Sequence, residues 1–246
     1  QRQPILLRGA EARAAMSFSL PVTKVATQAR LGLNYQLSPV LEPNNSVIQV
    51  VLNGSPLGAV PLERAIGGGT AFNHLQIDLP AELLVAENTI TFELTGRCAG
   101  GCANADGEIR TLIDLTSTLS VSGEIIPLPN DLAQMPTPFF DAMAQQPVEI
   151  GFVMPADADL RTLQAAGVLA SYFGAMADHR GVRFQAVRDG FPHGNAIVFA
   201  LAGTAELIQL QMPSVNGPVV AIRENPSDAA GKLLLFAGLD SNHLLM

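Results

Sequence analysis

Tryptophan is absent from this chain, tyrosine occurs twice, and aromatic residues make up 5% of the 246 positions. Recognition of a sugar ring by stacking needs exposed aromatic faces, so the sequence offers no broad platform for a glycan and little with which to sandwich a flavin. Lysine is equally scarce: there are two, Lys24 and Lys232, with no basic run, and the formal net charge is −8. Such a surface repels a phosphate backbone, which excludes nucleic acid as a partner. Long apolar runs are missing as well. The charge-free residues 162–177 contain Gln164, Gly167 and Gly174 and fall short of the ~20 apolar residues of a membrane span. Catalytic signatures are lacking too: there is no Gly-x-Ser-x-Gly elbow, Walker sequence or Gly-x-Gly-x-x-Gly loop. His74, His179, His193 and His243 are scattered and read as solvated surface residues, and no second Cys or His pair stands at zinc-ligand spacing. No residue is therefore assigned a catalytic, metal-binding or cofactor-binding role, and no cofactor is expected. Two carboxylates meeting across a fold, as in a glycosidase, leave no mark in sequence, so a polysaccharide-acting enzyme stays as the least favoured reading.

What is present describes an ordered protein. Apolar residues make up 48% and charged residues 15%, the balance of a packed globular chain, and the length predicts two domains with separate cores. The opening Gln1-Arg2-Gln3-Pro4 has neither an initiator Met nor an apolar signal core, which is expected of a chain whose targeting peptide has been removed. The two cysteines stand in Arg97-Cys98-Ala99-Gly100-Gly101-Cys102, where two glycines allow the loop to bend back on itself. Cys98 and Cys102 read as a local disulfide, worth only about 2 kcal/mol because the loop it closes is short. Two reduced thiols in a flexible loop are the alternative. A disulfide implies an oxidising compartment, the periplasm or the exterior.

From residue 16 to about 126 the apolar period is two. Leu31, Leu33, Tyr35 and Leu37 alternate with Arg30, Gly32, Asn34 and Gln36, as in a half-buried strand, and the pattern recurs in Met16-x-Phe18, Leu75-x-Ile77-x-Leu79, Ile90-x-Phe92-x-Leu94 and Leu119-x-Val121. Tyr35 shares the parity of the leucines and is expected in the core. Residues 46–52 are apolar on both faces, like a strand inside a sandwich. Turns are expected at Pro43-Asn44-Asn45, Asn53-Gly54, Gly67-Gly68-Gly69 and Gly100-Gly101, at a spacing that fits an all-β sandwich or jelly roll. Ile126-Pro127-Leu128-Pro129 and Met135-Pro136-Thr137-Pro138-Phe139-Phe140-Asp141 read as an irregular, proline-punctuated connector, with Phe139 and Phe140 plugging the junction between the domains.

Beyond it the order is strand 148–154, helix 159–178, strands 182–187 and 196–201, helix 204–210, and strands 219–222 and 233–237, an α/β alternation. The first helix carries Leu160, Leu163, Leu169, Phe173 and Met176 nearly all round and is expected to pack on the sheet. The loop ahead of it, Pro155-Ala156-Asp157-Ala158-Asp159, puts two carboxylates where a nucleotide-binding fold holds phosphate, so Asp157 or Asp159 is expected to cap the helix. The domains are accordingly 1–128, a connector 129–147, and 148–246, the last ending on what looks like an incomplete α/β domain.

Several short stretches in order along the chain resemble the periplasmic B subunit of bacterial cellulose synthase, N-terminal half. They are Leu33-x-Tyr35-x-Leu37-Ser38, Leu41-x-Pro43-x-Asn45-Ser46, Val50-Val51-Leu52-Asn53-Gly54 and Pro136-x-Pro138-Phe139-Phe140-Asp141. Ala165-Ala166 with Tyr172-Phe173-Gly174 follow, then Asn225-Pro226 and Gly231-Lys232-Leu233-Leu234-Leu235. The resemblance implies a carbohydrate-binding-like jelly roll and a flavodoxin-like domain, forming the first of two repeats in a longer, membrane-anchored periplasmic protein. It implies a non-catalytic subunit that partners the catalytic subunit of cellulose synthase and guides nascent β-1,4-glucan outward, with self-association and a pure scaffold role as further possibilities of the same family. It does not name glycan-binding residues. The family carries a label as cyclic-di-GMP-binding, but the Arg-x-x-x-Arg and Asp-x-Ser-x-x-Gly elements of such receptors are absent here, and the resemblance puts that receptor in the cytoplasmic part of the catalytic subunit.

Overall fold

The computed structural model describes residues 3–63, 72–98, 100–102 and 109–245; the predicted Gly67-Gly68-Gly69 turn and the terminal residues 1, 2 and 246 lie outside them. The described chain is mostly β-sheet and divides into two compact units, Gln1–Leu20 with Lys24–Glu124, and Pro21–Thr23 with Ile125–Met246.

The first unit holds β1 (Ile5–Arg8), β2 (Glu11–Ser19), β3 (Lys24–Gln36), β4 (Val47–Leu52), β5 (Ser55–Pro61), β6 (Asn73–Leu79), β7 (Glu87–Thr95), β8 (Arg110–Ile113) and β9 (Thr118–Ile125). One sheet has the order β1-β8-β3-β6, with β9 also paired to β3, and the other the order β2-β7-β4-β5. Their inner faces share one core: Leu31, Leu33 and Tyr35 from β3 meet Ile48, Val50 and Leu52 from β4 and Ile90, Phe92 and Leu94 from β7. This is the predicted period-two stripe, and Tyr35 is in the core as expected, its hydroxyl accepting the Glu63 N–H at 3.1 Å. Burial raises its pKa above the ordinary tyrosine value. Asn53 and Gly54, both with positive φ, make the two-residue turn of the β4–β5 hairpin, the conformation that an Asn-Gly pair is suited to adopt. Strand β5, which contains Pro56 and Pro61, lies at a sheet edge, where proline costs no ladder hydrogen bond.

The second unit holds β10 (Val148–Val153), α1 (Leu160–Ala177), β11 (Val182–Val187), β12 (Ala196–Leu201), α2 (Ala205–Gln209), β13 (Val219–Asn225) and β14 (Asp228–Gly238). The sheet order is β11-β10-β12-β14-β13, parallel except for β13, which pairs antiparallel with β14. Strand β12, Ala-Ile-Val-Phe-Ala-Leu, is buried along almost its whole length, the near-continuous apolar strand of a sheet covered on both faces. One face is covered by α1, with Phe152, Ile197, Phe199 and Phe173 in its core. The other packs Val153, Val198, Leu207 and Leu235 together.

The order of strands and helices is the one expected from the sequence, with the second helix only five residues long. Phe139 and Phe140, expected at the junction of the domains, are buried in the second unit's own core, and the Arg180 guanidinium lies 4.4 Å over the Phe140 ring while donating to the carbonyls of Asp141 and Ala144. The connector is thereby tied down by a cation over an aromatic face and by two carbonyls that would otherwise need other partners. Helix α1 packs on the sheet as expected, through one side of the helix. Phe173 is buried and Leu169 and Met176 are partly so, but Leu160 and Leu163 face solvent.

Candidate functional site

The outward side of the β1-β8-β3-β6 sheet carries a row of polar side chains. Alternation forces it: with Leu31, Leu33 and Tyr35 inward, Arg30, Gly32 and Asn34 must point outward. The register sets them directly opposite Asp78, Gln76 and His74 of β6, and β9 adds the exposed Thr118, Ser120 and Ser122.

These groups form a connected chain. Gln76 Nε2 lies 3.3 Å from His74 Nε2, and His74 Nδ1 lies 2.7 Å from Asn34 Oδ1. Asn34 Nδ2 donates to Thr116 Oγ1 at 2.9 Å, and Thr116 Oγ1 donates to Asp114 Oδ1 at 2.7 Å. Because Asn34 spends its amide N–H on Thr116, its oxygen must accept from His74, which fixes neutral His74 with the proton on Nδ1 and leaves Nε2 to accept from Gln76. The Thr116 hydroxyl, with its backbone N–H, holds the Asp114 carboxyl below the usual range. Arg30 and Asp78 pair at 2.7 Å with both side chains exposed; such a pair adds little stability.

Gly32 is the low point of this face. It is buried without owning a side chain, and a Cβ there would stand 3.0 Å from Thr118 Oγ1 and 3.6 Å from His74 Cε1. His74 and Thr118 thus lean over the glycine and fill the space that a side chain there would take. Along the same strands, Thr27, Gln28, Arg30, Asp78, Ser120 and Ser122 line an open groove of about 510 Å³. At the start of β6 stands Phe72, 48% exposed, at the parity of His74, Gln76 and Asp78. Sequence reasoning placed Tyr35 in the core and singled out no exposed aromatic on this face; counting parity back along residues 72–78 would have found Phe72.

Elsewhere the predicted residues fall as follows. Cys98 and Cys102 form a disulfide with a Cα–Cα distance of 5.1 Å, with Cys98 in a β-bridge to Leu41, so the short loop is stapled beside the core. Asp159 caps α1: its Oδ1 accepts from the Thr162 N–H and hydroxyl and its Oδ2 from the Ser241 hydroxyl. Ser241 is the main cause of a carboxyl held below the usual range. The helix N-terminus that a nucleotide fold would turn toward phosphate is thus already occupied by this chain's own carboxylate. His179 and His193 are exposed, and His243 Nδ1 accepts the Leu239 N–H at 3.1 Å. The described residues bring together no group of three or more His, Cys, Asp or Glu that could hold a metal ion, and none of their helices is long and apolar enough to cross a membrane.

Comparison with known proteins gives the context. The curated protein "Cyclic di-GMP-binding protein" of Xanthomonas axonopodis pv. citri is 36% identical over 98% of this chain and 31% of its own length. "Cellulose synthase 1" of Komagataeibacter xylinus is 28% identical over 98% of this chain and 15% of its own length. The chain therefore spans about a third, or less, of these relatives. A solved family 35 carbohydrate binding module from an environmental isolate covers 50% of this chain and 76% of its own, with a TM-score of 0.34 and 16% identity. The family model for the first CBM domain of cellulose synthase BcsB matches residues 1–125 and that for its first FD domain matches residues 131–246, and the chain belongs to the cellulose synthase BcsB family.

Proposed function

We propose that this chain is a non-catalytic, periplasmic accessory part of a bacterial cellulose synthase complex, and that the outward face of β3, β6 and β9 guides nascent β-1,4-glucan. The observation that carries the reading is the polar trough along these strands, in which the open groove lined by Arg30, Asp78, Ser120 and Ser122 is continued by Gln76, His74 and Asn34. A glucan strand presents a ribbon of hydroxyls that donate and accept along both edges, and the trough presents amides, hydroxyls and an imidazole in a row at strand spacing. Phe72 supplies a single apolar surface for one sugar ring. Neutral hydrogen bonds of this kind contribute roughly 0.5–1.5 kcal/mol each, which suits a surface that must let the polymer move on.

Within this reading residues 1–128 form the carbohydrate-binding-like jelly roll, 129–147 the connector and 148–246 the flavodoxin-like domain. The parallel strands β11-β10-β12-β14 run in the order 2-1-3-4, which supports the last assignment. The disulfide supports an oxidising compartment, and the Komagataeibacter relative's name supports the catalytic subunit as partner. Relatives are named for cyclic di-GMP, yet a net charge of −8 disfavours a dianionic nucleotide on these residues.

Affinity electrophoresis through a soluble β-1,4-glucan tests the reading. The chain should be retarded, and Phe72→Ala combined with Asn34→Ala should restore free migration. Unretarded wild-type chain would favour the second reading, a scaffold that touches no sugar, which the apolar outer face of α1 supports.

A further inference from the structure

Helix α1 buries Thr162, Ala165, Ala166, Phe173 and Ala177, and its opposite side is apolar as well. Leu160 is 70% exposed, Leu163 55%, Val168 63% and Tyr172 48%, a stripe at intervals of three to five residues along one side of the helix. Between them Gly167, Ser171 and Ala175 are also exposed, and a Cβ at Gly167 would meet nothing within 4 Å. No charge interrupts the surface between Arg161 and Asp178. Exposed Gln164 stands among these residues and exposed Arg161 at the N-terminal end; an outer helix face ordinarily carries several charged residues, and beyond Arg161 this one carries none up to Asp178.

We propose that the stripe is the docking face for a helix in the part of the same polypeptide that lies outside this chain. Two observations select this occupant. The chain spans 31% of the length of its Xanthomonas relative, and the matching models are those of the first CBM and first FD domains, so most of such a protein, with further units of these kinds, remains to be placed. The footprint also argues for a tethered partner. An 18-residue helix offers about 27 Å by 10 Å, roughly 270 Å², well below the ~800 Å² per side of a stable contact between separate molecules. A second copy would also bring another net charge of −8. A segment on the same chain acts at an effective concentration near millimolar, so a small apolar footprint is enough. Gly167, Ser171 and Ala175, four residues apart, leave a groove into which a second helix can settle closely.

The test is carbene footprinting with mass spectrometry on the full-length gene product, purified without the synthase, beside this chain alone. Labelling of the segment from Leu160 to Tyr172 is expected to fall several-fold in the full-length protein, independent of its concentration, while Ile208, 71% exposed, labels equally in both. Val168→Asp in the full-length protein should restore labelling at Leu160, Leu163 and Tyr172 without changing the melting temperature of the isolated chain. Equal labelling of the two proteins overturns the proposal. Protection that grows with concentration in the isolated chain points to a second copy, and protection that needs the catalytic subunit or anionic vesicles points to those partners; each also overturns it.

Discussion

Two solvent-facing surfaces of this chain differ in nearly every property that governs recognition. The outer face of β3, β6 and β9 is polar, and Gln76, His74, Asn34, Thr116 and Asp114 are linked by hydrogen bonds, so little freedom is left for a ligand to remove. The outer face of α1 is mostly apolar and, beyond Arg161, uncharged, and its cover must come from something that excludes water. A hydroxylated polymer exchanges water for the groups of the first face at little net cost and gains nothing from the second. A packed helix gains only from the second. The contrast shows that exposure alone does not identify a binding surface; the sign of the exchange with water does.

The comparison breaks most completely at Gly123. A Cβ there would run into the Val25 carbonyl, so Gly123→Ala should part β9 from β3, cost about 2–3 kcal/mol as overpacking against backbone does, and abolish glucan retardation; urea titration reads the first effect. Reduction of Cys98–Cys102 is the next largest. It should lower stability by about 2 kcal/mol on the loop-entropy account, measured by the denaturation midpoint with and without reductant, and leave glucan retardation intact. Asn34→Ala with Gln76→Ala should weaken cello-oligosaccharide binding by roughly tenfold, the sum of two neutral hydrogen bonds, and leave α1 unaffected; calorimetric titration gives the ratio.

Acid acts on the second unit through Asp228, whose carboxyl is held below the usual range by the N–H groups of Ala230 and Gly194. Its stabilising contribution is present above the ordinary carboxylate value near 4 and is lost as pH falls through and below it. Asp228→Asn should therefore flatten the fall in melting temperature between neutral and acid pH. The smallest effect belongs to Leu163→Gln with Val168→Gln, which should move the isolated chain's stability by no more than about 0.5 kcal/mol per site, because both side chains are more than half exposed.

The sandwich was legible because its signal is local. Leu31, Leu33 and Tyr35 alternate so cleanly that facing and register parity follow, and Asn53-Gly54 announces its own turn. The helix cap was legible for the same reason: an Asp three residues ahead of Thr162 has an obvious backbone donor. The trough was not, since it depends on Asn34 lying opposite His74 and on β9 pairing with β3, and pairing between strands 40 and 80 residues apart leaves no trace in a single sequence. For α1 the packing on the sheet was legible, but which of its apolar residues make that contact was not. Leu160 and Leu163 are as apolar as Phe173, and composition does not distinguish a buried leucine from one awaiting a partner. That Phe139 and Phe140 belong to the second unit's core was not legible, because Arg180, which caps Phe140 and gathers two carbonyls, is 40 residues away in sequence.

The central claim is that the polar trough takes up β-1,4-glucan. Titration of isotope-labelled chain with cellohexaose, followed by backbone amide shifts, tests it most directly. Saturable shifts confined to β3, β6 and β9, centred on Arg30, Asp78 and His74 and reduced by Phe72→Ala, are the predicted result. Unchanged spectra at millimolar sugar, or shifts confined to the second unit, would contradict it.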